Sequence, residues 1–256
     1  MKPEFRFEPI DYYIDRLAKG KHFALVGYSD AEWFSILRHH LGVKTGLGQV
    51  LHGPTGDRLL DVLRRRQYYP DFMFAVPECI WKLPDFTEPA IHTNIEGVLE
   101  SYKINTPFYE RDMILDDLAR SAELFPLISQ LQKMDTVIIG PKELIELKKP
   151  GVIDYSIFIE VESPNYHLQY ETWDIVARTI SCTRGKPRTF LVSAGMSSAL
   201  IIDQLYGKIP NSTFIDCGSI WDAFVGIGGQ RQWRKRLYEN PEAWERWKRA
   251  NIAGKS

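Results

Sequence analysis

Six short apolar runs that fail to alternate constrain this chain more than any other feature. Residues 22–28 (HFALVGY), 72–76 (FMFAV), 136–140 (TVIIG), 157–161 (IFIEV), 189–193 (TFLVS) and 213–217 (TFIDC) are rich in β-branched residues and are bounded by Gly, Pro or polar residues. A strand with one face in water alternates apolar and polar side chains; a parallel strand covered on both faces does not. Helical spacing fills the gaps. Residues 31–41 place Phe34, Leu37 and Leu41 on one face, and 57–66 turn Leu59, Leu60 and Leu63 inward with three arginines outward. Residues 112–124 and 126–133 read as two helices separated at Pro126, a residue suited to a first helical turn. Further helices are expected at 170–181, 196–206 and 230–250, with Pro241 opening the second part of the last. This order predicts an α/β fold: a Rossmann-like, doubly wound, mostly parallel sheet with helices on both faces.

The 256 residues read as a single α/β catalytic domain at 1–229 and a basic, Trp-rich helical extension at 230–256. The extension holds eight Lys/Arg against three Glu, so it carries +5 of a total net charge of −1 and the remainder carries −6. That distribution lacks the basic domain face of a nucleic-acid binder. Trp233, Trp244 and Trp247 among basic residues suit either peripheral contact with an anionic membrane, or packing on the chain's own core or a second copy in a homo-oligomer. No stretch approaches the ~18 apolar residues of a membrane span. The first residues, MKPEFRFEPIDYY, put charges and prolines where a signal peptide is apolar. Cys79, Cys182 and Cys217 have no metal-ligand spacing and read as small buried hydrophobes in a reducing compartment. A cytoplasmic location is the expectation.

In open α/β sheets ligands bind outside the carboxyl ends of the strands. The first run leads there into Gly27-Tyr28-Ser29-Asp30-Ala31-Glu32. Asp30 and Glu32 can converge on a hard divalent cation, which prefers carboxylates, water and substrate phosphates. The same residues spell a capping box, S-x-x-E, which stabilises a helix start without any ligand. The two roles are compatible, with Ser29 capping and Asp30 facing a ligand.

The segment LVGYSDAEW resembles the strand–DxE–helix element of the glycosyltransferases with the GT-D fold, once grouped as a domain of unknown function. Weaker likenesses follow at Gly48-Gln49, Phe74–Pro77, Thr106–Arg111, Ile157–Asn165, Leu191–Leu200 and Phe214–Gly218. The family's Arg-Phe-Gly before the aspartate is replaced here by Gly27-Tyr28-Ser29, and its Gly-rich Asn-Asp stretch by Gly140–Leu144. The resemblance implies an enzyme that moves a sugar from a nucleotide-diphosphate donor, such as a UDP-sugar, to a hydroxyl of a glycan, glycoprotein or lipid-linked acceptor. It also implies Mn²⁺ or Mg²⁺ held through Asp30 and Glu32.

Other candidates stand at strand ends. Ser193–Ser198 joins a strand to a helix and offers a phosphate site around Gly195 and Ser197, or a tight capped turn. Asp216 and Asp222 are candidate bases or acceptor ligands, or turn residues. Tyr109 and Arg111 follow an extended segment, and Arg can neutralise a diphosphate. With Tyr28 and Ser29 they complete the candidate donor-binding set. Gly46–Leu51 lacks the third glycine of a dinucleotide fingerprint, and Gly48–Thr55 has Pro where a P-loop needs Lys. The histidines show no zinc spacing. Two further readings use the same residues: a metal-dependent phosphate hydrolase or nucleotidyl transferase at Asp30 and Glu32, and a non-catalytic nucleotide-binding module whose S-x-x-E is only a cap.

Overall fold

The computed structural model describes residues 4–38, 40–45, 48–76, 89–109, 112–148, 151–169, 172–229 and 231–254. Among these, eight parallel strands form one sheet. They are β1 (Phe5–Arg6), β2 (Ala24–Gly27), β3 (Phe72–Ala75), β4 (Phe108–Tyr109), β5 (Thr136–Gly140), β6 (Tyr155–Glu160), β7 (Thr189–Val192) and β8 (Thr213–Asp216), in spatial order 1-4-3-2-8-7-5-6. All six apolar runs are strands. The two extra ones, β1 and β4, are two residues long and sit together at one edge, too short to leave a pattern in the sequence.

The helices are α1 (Ile10–Ala18), α2 (Asp30–Ile36), α3 (Gly53–Arg66), α4 (Pro89–Ser101), α5 (Asp112–Arg120), α6 (Phe125–Leu131), α7 (Trp173–Thr183), α8 (Ser197–Tyr206), α9 (Asp222–Val225), α10 (Gln232–Tyr238) and α11 (Pro241–Ala253). They cover both faces. The strands do alternate, but between two cores. Val26, Phe74, Val137, Ile139, Val192 and Phe214 enter one core with α2, α3, α7 and α8. Leu25, Met73, Ile138, Leu191 and Ile215 enter the other with α1, α6 and the C-terminal helices. Both faces being apolar is what erased the period of two.

One expected boundary differs. The first helix stops at Ile36 instead of running to 41: Arg38 and His40 take left-handed backbone and Leu41 is exposed. Here α3 crosses α2 at its closest point, where a Cβ on Gly56 would lie 2.1 Å from the Ser35 carbonyl oxygen. At the C-terminus the segment from 231 packs on the chain's own core, one of the two readings its tryptophans allow, and shares the second cluster. Trp247 is buried and donates to the Ala119 carbonyl at 2.6 Å, Trp244 donates to the Ala223 carbonyl, and Asn251 accepts from the Leu124 amide. The tryptophans that a bilayer would take therefore face inward. No helix among the described residues is long and apolar enough to cross a membrane. Cys217 is buried as expected, Cys182 is exposed, and Cys79 lies outside the described residues.

The central strand is β2. The chain leaves it toward β3 and β4, then crosses to build the other half, and β8 returns from that side to pair with β2. The strand order thus reverses between β2 and β8. A crevice outside their carboxyl ends is the place such a topology leaves for a ligand.

Candidate active site

A cleft of about 740 Å³ opens there. Asp30 and Glu32 after β2, Asp216 at the end of β8, and Asp222 at the start of α9 all line it. Three elements, α2, β8 and α9, thus bring the four predicted catalytic carboxylates into one cavity.

Local sequence dictates the arrangement around β2. Ser29 is the N-cap of α2, and its amide donates to Glu32 Oε2 at 2.9 Å while its Oγ donates to the same oxygen at 2.6 Å. This is the S-x-x-E box read from the sequence. It ties up one oxygen of Glu32 only. Asp30 is exposed, and its Oδ1 accepts from the Ala31 amide at 2.9 Å. The second oxygen of each carboxylate, Oδ2 of Asp30 and Oε1 of Glu32, takes no hydrogen bond from another described residue. Glu32 is only 6% exposed, and burial pushes its carboxyl up to about 7, opposed by the Ser29 hydrogen bond and aided by Asp216 and Asp30. Asp216 is buried and braced against the backbone: Oδ2 accepts from the Gly27 amide at 3.1 Å and Oδ1 from Gly218 at 3.0 Å.

The opposite walls come from other strands. Lys142 and Glu143 follow β5; Glu160, Glu162 and Ser163 end and follow β6; Ser193, Ala194 and Gly195 follow β7. Gly195 has φ +55°, and a Cβ there would lie 1.7 Å from Gln49 Nε2, so only glycine lets the buried Gln49 carboxamide pass along this wall. The Gln49 segment is pinned from the far side: Asn165 accepts from the Val50 amide at 2.7 Å and donates to the Gly48 carbonyl, and His167 Nε2 bonds the Val50 carbonyl at 2.7 Å. Ser193 Oγ is buried without a partner among the described residues.

Among the described residues, the wall carries seven carboxylates (Asp30, Glu32, Glu143, Glu160, Glu162, Asp216, Asp222) against two cations, Lys142 and Arg231. Such a cleft repels a bare diphosphate and favours a cation, or a substrate that arrives with one. Among the described residues no three His, Cys, Asp or Glu side chains form a ready metal cage. What is present, two neighbouring carboxylates with a free oxygen each, fits a hard divalent ion that keeps water and takes its remaining ligands from phosphate.

The candidate donor-binding residues separate. Ser29 and Gly195 line the cleft. Tyr28 does not: it is fully buried, its hydroxyl donating to the Leu59 carbonyl at 2.8 Å, and it packs against Trp33 and Phe74. Tyr109 is buried on β4, accepting from Arg6 at 3.3 Å, away from the cleft wall. Ser197 is fully buried under the β7–α8 turn. Arg111 lies outside the described residues. Sequence reasoning missed Lys142, Glu143, Glu160, Glu162 and Arg231 as wall residues. Their one available signal was position just after a strand, and Arg231 lacked even that.

No family model matches the sequence, and no curated protein matches it. Solved structures do match. One, described as "The highly conserved domain of unknown function 1792 has a distinct glycosyltransferase fold", aligns over 92% of this chain and 82% of its own with 16% identity and a TM-score of 0.59. A selenomethionine-substituted structure of domain of unknown function 1792 gives the same values. A structure described as a new glycosyltransferase (DUF1792) from Streptococcus sanguinis aligns over 92% of this chain and 85% of its own, with 13% identity and a TM-score of 0.60.

Proposed function

We propose, starting from a chain that has the glycosyltransferase fold of the DUF1792 structures, that it transfers a sugar from a nucleotide-diphosphate sugar to an acceptor hydroxyl in the cleft between β2 and β8. The observation that carries this reading is the placement of Asp30 and Glu32, each with an uncommitted oxygen, at the point where the strand order reverses. Glu32 is the more telling. A carboxyl buried without a cationic partner loses the solvation that its charge needs, and its upward shift to about 7 reflects that loss. A divalent cation held there would restore the balance.

Mn²⁺ or Mg²⁺ held by Asp30 and Glu32 would supply Lewis-acid stabilisation to the diphosphate as negative charge builds on it. The chain's own residues do the rest. Ser29 fixes Glu32 through two hydrogen bonds to one oxygen, leaving the other for the ligand. Lys142 and Arg231 are the wall cations placed to offset phosphate charge. Gln49 and the Ser193–Gly195 turn offer neutral donors to sugar hydroxyls or phosphate oxygens. Asp216, oriented by two backbone amides, presents a carboxyl toward the sugar ring, where positive charge develops as the glycosidic bond breaks.

The acceptor is proposed to be a glycan, glycoprotein or lipid-linked hydroxyl. Thermal-shift measurement across UDP-, GDP-, CMP- and dTDP-sugars, with and without Mn²⁺, tests the donor. A ligand at 100 times its Kd adds about 2.7 kcal/mol of stability. The expected result is a Mn²⁺-dependent gain with one nucleotide class, lost in Asp30→Asn and in Glu32→Gln. Equal gains in both variants would remove the metal role. No gain with any nucleotide would leave the non-catalytic reading standing.

A further inference from the structure

Arg234 on α10 is fully buried, a rare placement for a charged side chain. Its two terminal nitrogens meet acceptors from the floor of the cleft, while Nε has no partner among the described residues. Nη1 donates to Asp222 Oδ2 at 3.2 Å, and Nη2 donates to the Ser219 carbonyl at 2.5 Å and to Ser219 Oγ at 3.0 Å. The backbone closes over this pair at Gly228, where φ is +74° and a Cβ would lie 2.4 Å from Arg234 Nη1 and 2.8 Å from Asp222 Oδ2. Asp222, Ser219, Gly228 and Arg231 all line the cleft, while Arg234 lies behind them. A buried ion pair contributes little net stability, because desolvation offsets the attraction. What such a pair does well is fix a geometry.

We propose that Arg234 is a positioning residue, holding Asp222 by Oδ2 so that its other oxygen meets the acceptor hydroxyl in the cleft. This rests on the sugar-transfer reading. In the step it serves, the acceptor O–H bond breaks and its proton passes to Asp222. The acceptor oxygen bonds the anomeric carbon, and the bond from that carbon to the diphosphate oxygen breaks, its electron pair leaving with the diphosphate. Arg234 touches neither substrate nor reacting atom.

The groups facing Asp222 set its proton affinity. Burial pushes its carboxyl up to about 6, against the pull of Arg234 and Arg231, while Glu143 from the turn after β5 adds to the rise. Asp116 on α5 faces the two arginines, 2.7 Å from Arg231 and 3.8 Å from Arg234, and Tyr238 donates to the Asp222 carbonyl at 3.4 Å. A carboxylate poised just below neutral is ionised at pH 7 and still basic enough to take a proton.

Two measurements test the proposal. The first is a ¹³C-carboxyl NMR titration of Asp222 in the metal-free protein. Replacing Arg234 by Met is expected to raise its midpoint by about one unit or more, with Arg234→Lys close to the native value. An unchanged midpoint in Arg234→Met would overturn the pairing. The second is donor turnover with Mn²⁺, water serving as acceptor, on the panel sugar that the native chain binds. Asp222→Asn is expected to lose about a hundredfold in kcat. Arg234→Met is expected to lose about tenfold, with donor KM unchanged and the acid limb of the pH profile moved up, and Arg234→Lys to recover most of that loss. Native-level turnover in Asp222→Asn would sink this inference while leaving sugar transfer intact. Failure of the native chain to bind any panel sugar would sink both.

Discussion

Two buried carboxylates in this molecule meet opposite fates. Asp203 on α8 is 4% exposed and Glu32 on α2 is 6% exposed. Asp203 is gripped by α3: Arg66 Nε donates to Oδ1 at 2.7 Å, Arg65 Nη2 to Oδ2 at 2.9 Å, and Arg66 Nη2 to the Asp203 carbonyl at 2.8 Å. The Arg66 guanidinium also stacks over Phe72, Tyr69 and Tyr206. Among the described residues, Glu32 has only Ser29. A carboxylate whose charge is answered from within is part of the scaffold. One whose charge is left unanswered in a cleft is waiting for something the chain does not itself supply.

The largest effect should separate them by stability. Arg66→Met removes the better-buried partner of Asp203 and leaves a charge uncompensated, at a cost of about 3–5 kcal/mol. Denaturant unfolding measures this, and Mn²⁺-dependent nucleotide binding should survive in the folded fraction. A loss much below 1 kcal/mol would mean that Arg65 alone answers Asp203, and the contrast would weaken.

Glu32→Gln should move stability the other way, and only at certain pH. The folded carboxyl titrates at about 7, above its ordinary value of 4.5. Between those values the folded state holds a proton that the unfolded chain has released. The stability this confers is complete below about pH 4.5 and is lost as pH rises through about 7. In metal-free protein at pH 8, Glu32→Gln should therefore gain on the order of 3 kcal/mol over the native chain, and near pH 4 the two should coincide. Thermal unfolding at both pH values checks this. A native chain as stable at pH 8 as its glutamine variant would show that the charge is answered after all.

These two sites were not equally readable. The S-D-A-E signal lies within four residues, so both its capping geometry and its carboxylates could be taken from spacing alone. Asp216 and Asp222 followed from the rule that ligands sit at strand ends. Tyr28 and Ser197 failed under the same rule because it fixes position along the chain, not the direction of a side chain; the odd step from β2 sends Tyr28 into the core against Leu59. Arg234 and Arg231 were out of reach because the C-terminal segment gave only charge and tryptophan, and nothing local said that it folds back under the cleft. Likewise the three consecutive arginines that end α3, Arg64 to Arg66, all read as solvent-facing, although Arg66 turns in to Asp203, a partner 137 residues away.

A smaller effect is expected at the cleft wall. Gly195→Ala forces a side chain into left-handed backbone, costing roughly 1–2 kcal/mol, and drives Gln49 off the wall. Nucleotide-sugar affinity should fall while Mn²⁺-only binding persists. Affinity unchanged to within twofold would remove Gln49 and this turn from the donor site, and confine the site to the β2–β8 side.

The smallest effect is the most discriminating. Ser29→Ala deletes the hydroxyl that donates to Glu32 Oε2 while the backbone amide still does. As a plain helix cap, Ser29 would contribute about 1 kcal/mol at every pH. As a partner to a charge, it contributes mainly where Glu32 is ionised, since a hydrogen bond to a charged group is stronger than one to a neutral group. The loss from Ser29→Ala should then be larger at pH 8 than at pH 5, and it should shrink when Glu32→Gln is already present. The Ser29 bond also holds the Glu32 carboxyl down, so its removal should push the onset of Mn²⁺ binding to higher pH. A pH-independent loss, additive with Glu32→Gln, would reduce the box to a cap and leave Glu32 no more prepared for a cation than any buried acid.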